Sequence, residues 1–181
     1  MSPTETLRHE HKIVLMVLEG AEKQALIIKN TGIVDTDKIK KIIDFSQNFT
    51  DGCHHTKEEK QLFPKMCERG FSKEAGPVAV MLSEHIEGRK LISKIESNLN
   101  LIIDGDEFAK SGLSSALMDY TYLLRSHISK ENDILFTMAD RALSSEDMDL
   151  LNIEFERIER EDMGVGEHEK YHNIAHEIVE D

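Results

Sequence analysis

His55-Thr-Lys-Glu-Glu59 and His127-Ile-Ser-Lys-Glu131 repeat one spacing at two places, each inside a long segment with helical periodicity. In both, a glutamate follows a histidine by four residues, so on a helix the two side chains share one face, roughly 6 Å apart. Such a pair can grip one metal ion from a single helix.

Outward from these stretches the chain reads as helix after helix. The first covers about residues 4–30, with Leu7, His11, Val14, Leu15, Leu18 and Ala25 as its apolar stripe and Gly32 as a stop. A second runs from Asp35 to Gly70, and Gly52 and Pro64 inside it predict a kink or loosened turn. The third opens between Ser72 and Pro77 and continues towards Gly105; the fourth spans about residues 106–143, with Ile134 and Met138 among its inner positions. Ser144-Ser-Glu-Asp147 has a capping-box pattern that starts a fifth helix, Met163-Gly-Val-Gly166 ends it, and a short helix from Glu167 completes the chain. No stretch has the alternation of a strand. The expectation is all-α: a single domain over residues 1–181, made of an antiparallel four-helix bundle over about residues 4–143 and two additional C-terminal helices over residues 144–181.

Composition limits the function. A chain of 181 residues can bury a core without staples. The formal net charge of −13 argues against nucleic acid or an anionic membrane as partner. The N-terminus lacks the pattern of a signal peptide, and no apolar run is long enough to span a bilayer. Cys53 and Cys67, about 21 Å apart on one helix, cannot bridge each other and read as free thiols in a reducing cytoplasm.

Facing decides which histidines can be ligands. At helical spacing His55 shares its face with Phe45, Glu59, Leu62 and Met66, whereas His54 falls with Gln47, Asp51, Glu58 and Lys65. The expectation is therefore that His55 and Glu59 point inward and that His54 and Glu58 face water. Glu131 sits among Leu124, His127, Leu135 and Met138, and His11 and His85 lie inward on the first and third helices. A carboxylate buried among apolar side chains costs several kcal/mol unless paired or metal-bound. His11, His55, Glu59, His85, His127 and Glu131 are thus candidate metal ligands. Imidazole and carboxylate donors suit iron, zinc, copper or nickel, and two glutamates on facing helices can each bridge a pair of ions.

The ordered set Glu10-His11, His54 to Pro64 (His-His-x-x-Glu-Glu-x-x-Leu-Phe-Pro), Glu84-His85 and His127-x-x-x-Glu131 resembles the hemerythrin-like, or HHE cation-binding, domain family, over nearly all of residues 7–140. The resemblance implies a four-helix bundle with a non-haem di-iron centre, two ions with an oxo or hydroxo bridge. His11, His55, His85 and His127 match terminal ligands; Glu59 and Glu131 match bridges. It also implies a small gaseous or peroxide ligand, dioxygen, peroxide or nitric oxide, with an unidentified redox partner. A sensor of iron or oxygen and an iron-storage or repair protein remain alternatives with the same ligands. Two departures stand out: Arg89 occupies the position of a further histidine in oxygen-carrying members, and no histidine lies between Lys12 and Gly52.

The apparent missing donor directs attention to the C-terminus, where His168, His172 and His176 recur every four residues. The expectation is that these three form the buried face of the last helix with Tyr171, Ala175 and Val179, so that His172 reaches the metal layer, with His168 as a second candidate. Tyr120, two turns before His127, is a candidate hydrogen-bond donor to the small ligand. His168-Glu-Lys-Tyr-His172 also matches the His-Glu-x-x-His zinc-protease pattern, a remote alternative because that motif needs a third ligand.

Overall fold

In the computed structural model, which describes residues 1–164 and 166–180, the chain forms four rods and a C-terminal extension, with no strand among the described residues. The first rod is helix α1 (Pro3–Thr31), started by a capping box between Ser2 and Glu5 and ended by Gly32 at φ 72°. That left-handed conformation is accessible to glycine without a Cβ penalty. The second rod changes its winding along its length: α2 (Thr36–Phe45), two wider π-helical segments, π1 (Ser46–His55) and π2 (Glu58–Leu62), then α3 (Phe63–Glu68). Helix α4 (Pro77–Ile103) is the third rod. The fourth is α5 (Ala109–Lys130), π3 (Glu131–Leu135) and α6 (Phe136–Ala142). The extension is α7 (Ser145–Arg157), π4 (Ile158–Met163) and α8 (Glu167–Val179).

The loosened turn expected near Gly52 is π1. A Cβ at Gly52 would lie 3.2 Å from the Gln47 carbonyl oxygen, tighter than ordinary packing, so glycine suits the wide turn there. Helix α7 is capped as the sequence suggests, with Ser144 Oγ accepting from the Asp147 N–H and Asp147 accepting from the Ser144 N–H. Val165, within the expected Met163 to Gly166 stop, lies outside the described residues.

Two apolar cores fill the molecule, and a polar layer separates them in every rod. One core takes Ile13, Phe49, Ile92 and Leu124; the other takes Leu7, Leu62, Met81 and Leu135. His11, His54, His55, Glu58, His85, His127 and Glu131 lie between those positions along the four rods, and all are buried. Several positions expected inside are instead exposed: Leu15, Ile134 and Met138 are at least a third open, because a long helix contacts its neighbours through a narrower stripe than its full apolar content.

The extension closes over the second rod. Helix α8 packs on α1 and α2 through Tyr171, Ala175 and Ile178. A Cβ at Gly20 would overlap the Ile178 side chain, so the missing side chain on α1 lets α8 seat closely. The buried stripe thus follows residues 171, 175 and 178, and His168, His172 and His176 fall beside it, part-buried or exposed, rather than on it. No helix among the described residues is long and apolar enough to cross a membrane.

Candidate metal centre

The π winding reverses the expected facing of the second rod. In an α-helix, neighbours such as His54 and His55 diverge by a large angle, and only one of them can face the bundle axis. With hydrogen bonds to the fifth residue the turn widens, and adjacent side chains stay closer in direction. Both imidazoles therefore enter the centre, and Glu58, not Glu59, follows them inward. His54 and Glu58 are 1% and 0% exposed, which corrects the expectation that they face water. Glu59 sits half-buried at the edge.

Two groups of donors result. His55, His85 and His127 converge with Glu58; His11 and His54 converge with Glu58 and Glu131; within each group the ligand atoms all lie within 4.8 Å of one another. Glu131 also reaches the first group, its Oε1 lying 3.2 Å from His127 Nε2 and 4.0 Å from His85 Nε2. Glu58 spans both groups, 3.5 Å from His54 Nε2 and 3.4 Å from His85 Nε2. Five imidazoles and two shared carboxylates thus enclose two adjacent positions.

The outer nitrogen of each imidazole shows which nitrogen carries the proton. Nδ1 donates to Asn132 Oδ1 at 2.8 Å from His11, to Glu10 at 2.8 Å from His54, to Asp51 at 3.2 Å from His55, to Glu59 at 2.7 Å from His85 and to Glu84 at 3.0 Å from His127. Every partner atom is an acceptor, so the proton sits on Nδ1 and a neutral ring leaves a bare Nε2 lone pair facing inward. Those lone pairs crowd: Nε2 atoms of His11 and His54 are 3.0 Å apart, and those of His85 and His127 are 3.2 Å apart. Moreover, all four oxygens of Glu58 and Glu131 are buried with no hydrogen-bond partner. Such a set is costly by several kcal/mol per buried ion unless a cation sits among the donors. The residues fit a metal pair on this ground.

Cations hold the outer carboxylates in turn. Lys57, fully buried, pairs with Glu10 and with Glu159 at 2.6 Å; Lys130 pairs with Glu84; Arg89 donates to Asp51 at 2.8 Å and to Glu59 at 2.6 Å. Burial alone would raise the Glu10 carboxyl, but the His54 N–H and the Lys57 ammonium hold it at about 2. Asp51, Glu59 and Glu84 are likewise held below the usual carboxylate range, against burial, by their imidazole and cationic partners. Without a bound cation, His127 is pushed up to about 10: burial opposes charging it, but Glu131 beside it prevails. His55 goes the other way, well below the usual histidine range, because of burial and the neighbouring His85.

The structure thus brings together His11, His55, His85, His127 and Glu131 of the expected residues, and adds His54 and Glu58. It does not bring Glu59, His168 or His172 into either group. Glu59 instead orients His85. His172 packs beside His176 with ring centroids 4.9 Å apart, and His168 lies against Phe49 at 5.3 Å, so the two histidines of the His-Glu-x-x-His match do not converge on a third donor. His168 lies 3.9 Å from Glu10, in a third cluster with Glu159, but Lys57 already occupies the centre of that cluster. Tyr120 lines a cavity that His55 also lines, and burial pushes its phenol up to about 12.

Two features of the sequence pointed to the missed residues. The doubled His54-His55 and Glu58-Glu59 pairs allow two facings, and Glu10-His11 and Glu84-His85 each offer a carboxylate beside a ligand. Each of those carboxylates serves an imidazole on a different rod: Glu10 orients His54 and Glu84 orients His127.

Comparison with known proteins agrees with this geometry. The family model described as Hemerythrin HHE cation binding domain matches residues 2–139. An iron-sulfur cluster repair protein, YtfE, of Cronobacter sakazakii is 30% identical over 141 residues, 77% of this chain and 61% of the relative. The protein of that name from Escherichia coli O157:H7 is 37% identical over 100 residues, 51% of this chain and 42% of the relative. The chain therefore spans about half the length of the curated relatives it matches.

Proposed function

Because the chain belongs to the hemerythrin HHE cation-binding family, we propose that its central layer holds two iron ions and presents them to a small oxidant. His55, His85 and His127 would hold one ion, His11 and His54 the other, and Glu58 and Glu131 would bridge them. The observation that carries this reading is the set of four buried, unpartnered carboxylate oxygens among five inward Nε2 lone pairs. When bound, a ferrous pair supplies electrons to dioxygen, peroxide or nitric oxide.

The protein's own part is to fix and to insulate. Each Nδ1–H bond fixes one ring, and the carboxylate partners of His54, His55, His85 and His127 also raise the basicity of the inward nitrogen. The apolar cores on either side exclude bulk water from the layer. Largely neutral imidazole donors leave less negative charge at the centre than an all-carboxylate set, which favours the reduced state of a bound metal and reversible over oxygenase chemistry. The test is anaerobic mixing of ferrous-loaded protein with oxygen, peroxide and nitric oxide in turn, followed by absorption spectroscopy. A stable adduct or turnover with one of them supports the reading; no spectral response to any of the three overturns it.

A second reading rests on the relatives named as iron-sulfur cluster repair proteins. In it the same ligands hold iron for delivery to a damaged cluster. Transfer of labelled iron from the loaded chain to a cluster-depleted iron–sulfur protein, faster than from free ferrous ion, would favour delivery over oxidant chemistry.

A further inference from the structure

Helix α5 turns one stripe outward, at residues 111, 115, 118, 122, 126 and 129, which recur every three or four positions and so share a face; all six are exposed. In chain order they are Ser111, Ser115, Met118, Tyr122, Ser126 and Ser129. The order is a palindrome in size, two small serines on either side of a large pair. At its centre Tyr122 is 80% and Met118 36% exposed.

Two shallow grooves run beside the stripe where α5 meets α1. Lys29, Lys110, Ser111, Ser115 and Met118 are on the wall of one, and Glu22, Met118, Tyr122 and Arg125 on the wall of the other. Only α1 and α5 line them, and Leu26, one turn from Glu22 on α1, is exposed as well. A two-fold interface must be complementary to itself, because each contact of residue i with residue j recurs as j with i. The palindrome meets that condition. With α5 antiparallel to α5 of a second copy and the axis between positions 118 and 122, Met118 faces the partner's Tyr122 twice. In the same register Ser111 faces the partner's Ser129 and Ser115 faces the partner's Ser126. The serines let the backbones approach, and the central Met and Tyr side chains fill the crossing.

Charge selects the same face. A chain with a formal net charge of −13 is repelled by its own copy over most of its surface. In the grooves, however, Arg125 is matched by Glu22 at 2.7 Å and Lys110 by Glu107, and Lys29 is offset by Asp119 beside the stripe. The area is sufficient too. The 22 residues of α5 span about 33 Å, and with α1 alongside the face is about 20 Å wide. That patch of roughly 650 Å² approaches the ~800 Å² per partner of a standard interface.

We propose that the chain forms a two-fold dimer through this face, with α5 antiparallel to α5 and Tyr122 of each copy packed on the partner's Met118. None of the six stripe residues belongs to a donor group, so the contact is independent of what the metal centre binds. The experiment is sedimentation velocity of the metal-loaded full chain at micromolar concentration. The mass of two chains is expected, and Tyr122→Asp, at a position too exposed to disturb folding, should raise the dissociation constant at least tenfold. Oxidative cross-linking in a Cys67→Ser background then reads the register. A mixture of Ser111→Cys and Ser129→Cys chains should link into mixed dimers. Neither variant alone should do so, because the same position on the two copies is about 27 Å apart. A monomeric chain, which would leave the face to a different partner, overturns the proposal. So does an unchanged dimer in Tyr122→Asp, or cross-linking of Ser111→Cys alone as efficient as that of the mixture.

Discussion

The imidazoles of His55 and His85 stack face to face, with ring centroids 3.8 Å apart and planes 15° apart, and both contribute to the same donor group. The fifth inward nitrogen, missing at the α4 position that Arg89 holds, comes instead from His54 in the other group. Arg89 is the outer clasp of this stack, since it donates to Asp51, which orients His55, and to Glu59, which orients His85. Replacing Arg89 by Ala is expected to weaken cation binding by about 10–100-fold, the usual cost of losing support behind metal-ligating histidines. Competition with a chelator of known affinity measures this, and an unchanged affinity would remove Arg89 from the account.

The adjacent glutamates separate in the same assay. Glu58→Gln is expected to lose bound metal, because one of the two shared carboxylates is gone. Glu59→Gln should retain metal with about 10–100-fold weaker affinity, because it only orients His85. Metal analysis after gel filtration distinguishes the two. If Glu59→Gln lost the metal and Glu58→Gln kept it, the α-helical facing would be right after all.

That reversal marks where reading the sequence stopped. His55 is buried under either winding, and four helices, their stripes and the inward His11, His85 and His127 were legible because α-helical periodicity holds along α1, α4 and α5. It fails in π1 and π2, where a change of winding over fifteen residues turns His54 and Glu58 inward, and amphipathic spacing carries no signal for that change. The C-terminal histidines misled for a related reason. Their four-residue recurrence suggested one buried face, but residues 171, 175 and 178 share the true stripe, with Ile178 against Gly20.

Helix α8 should accordingly matter for stability and not for metal. His168→Ala and His172→Ala are expected to leave metal content unchanged. Gly20→Val should destabilise the chain by about 1–3 kcal/mol through overpacking against Ile178. Hydrogen exchange should show the lost protection concentrated in α8. Loss of metal in His172→Ala would restore the C-terminal ligand.

Lys57 is a buried ammonium paired with the buried Glu10 and the more exposed Glu159. Lys57→Met is expected to cost about 3–5 kcal/mol, because it leaves Glu10 buried without its cation, whereas Glu159→Gln should cost far less. Urea unfolding of the two variants gives the comparison.

Cation uptake should release protons. In the metal-free protein the His127 pKa is raised to about 10, so its contribution to folding is fully present below its ordinary value near 6.5 and is lost as pH rises through about 10. Metal-free protein should therefore lose stability across that window, and metal binding at neutral pH should displace at least one proton from His127. An indicator dye in weakly buffered solution reads the release on addition of ferrous ion. No release would mean that the imidazole was already neutral.

The most direct test of the central claim is the anomalous scattering of iron in crystals of the loaded protein. The account predicts two peaks, one among the Nε2 atoms of His55, His85 and His127 and one beside those of His11 and His54, with Glu58 and Glu131 between them. A single peak, or one at Glu10, Glu159 and His168, would contradict it.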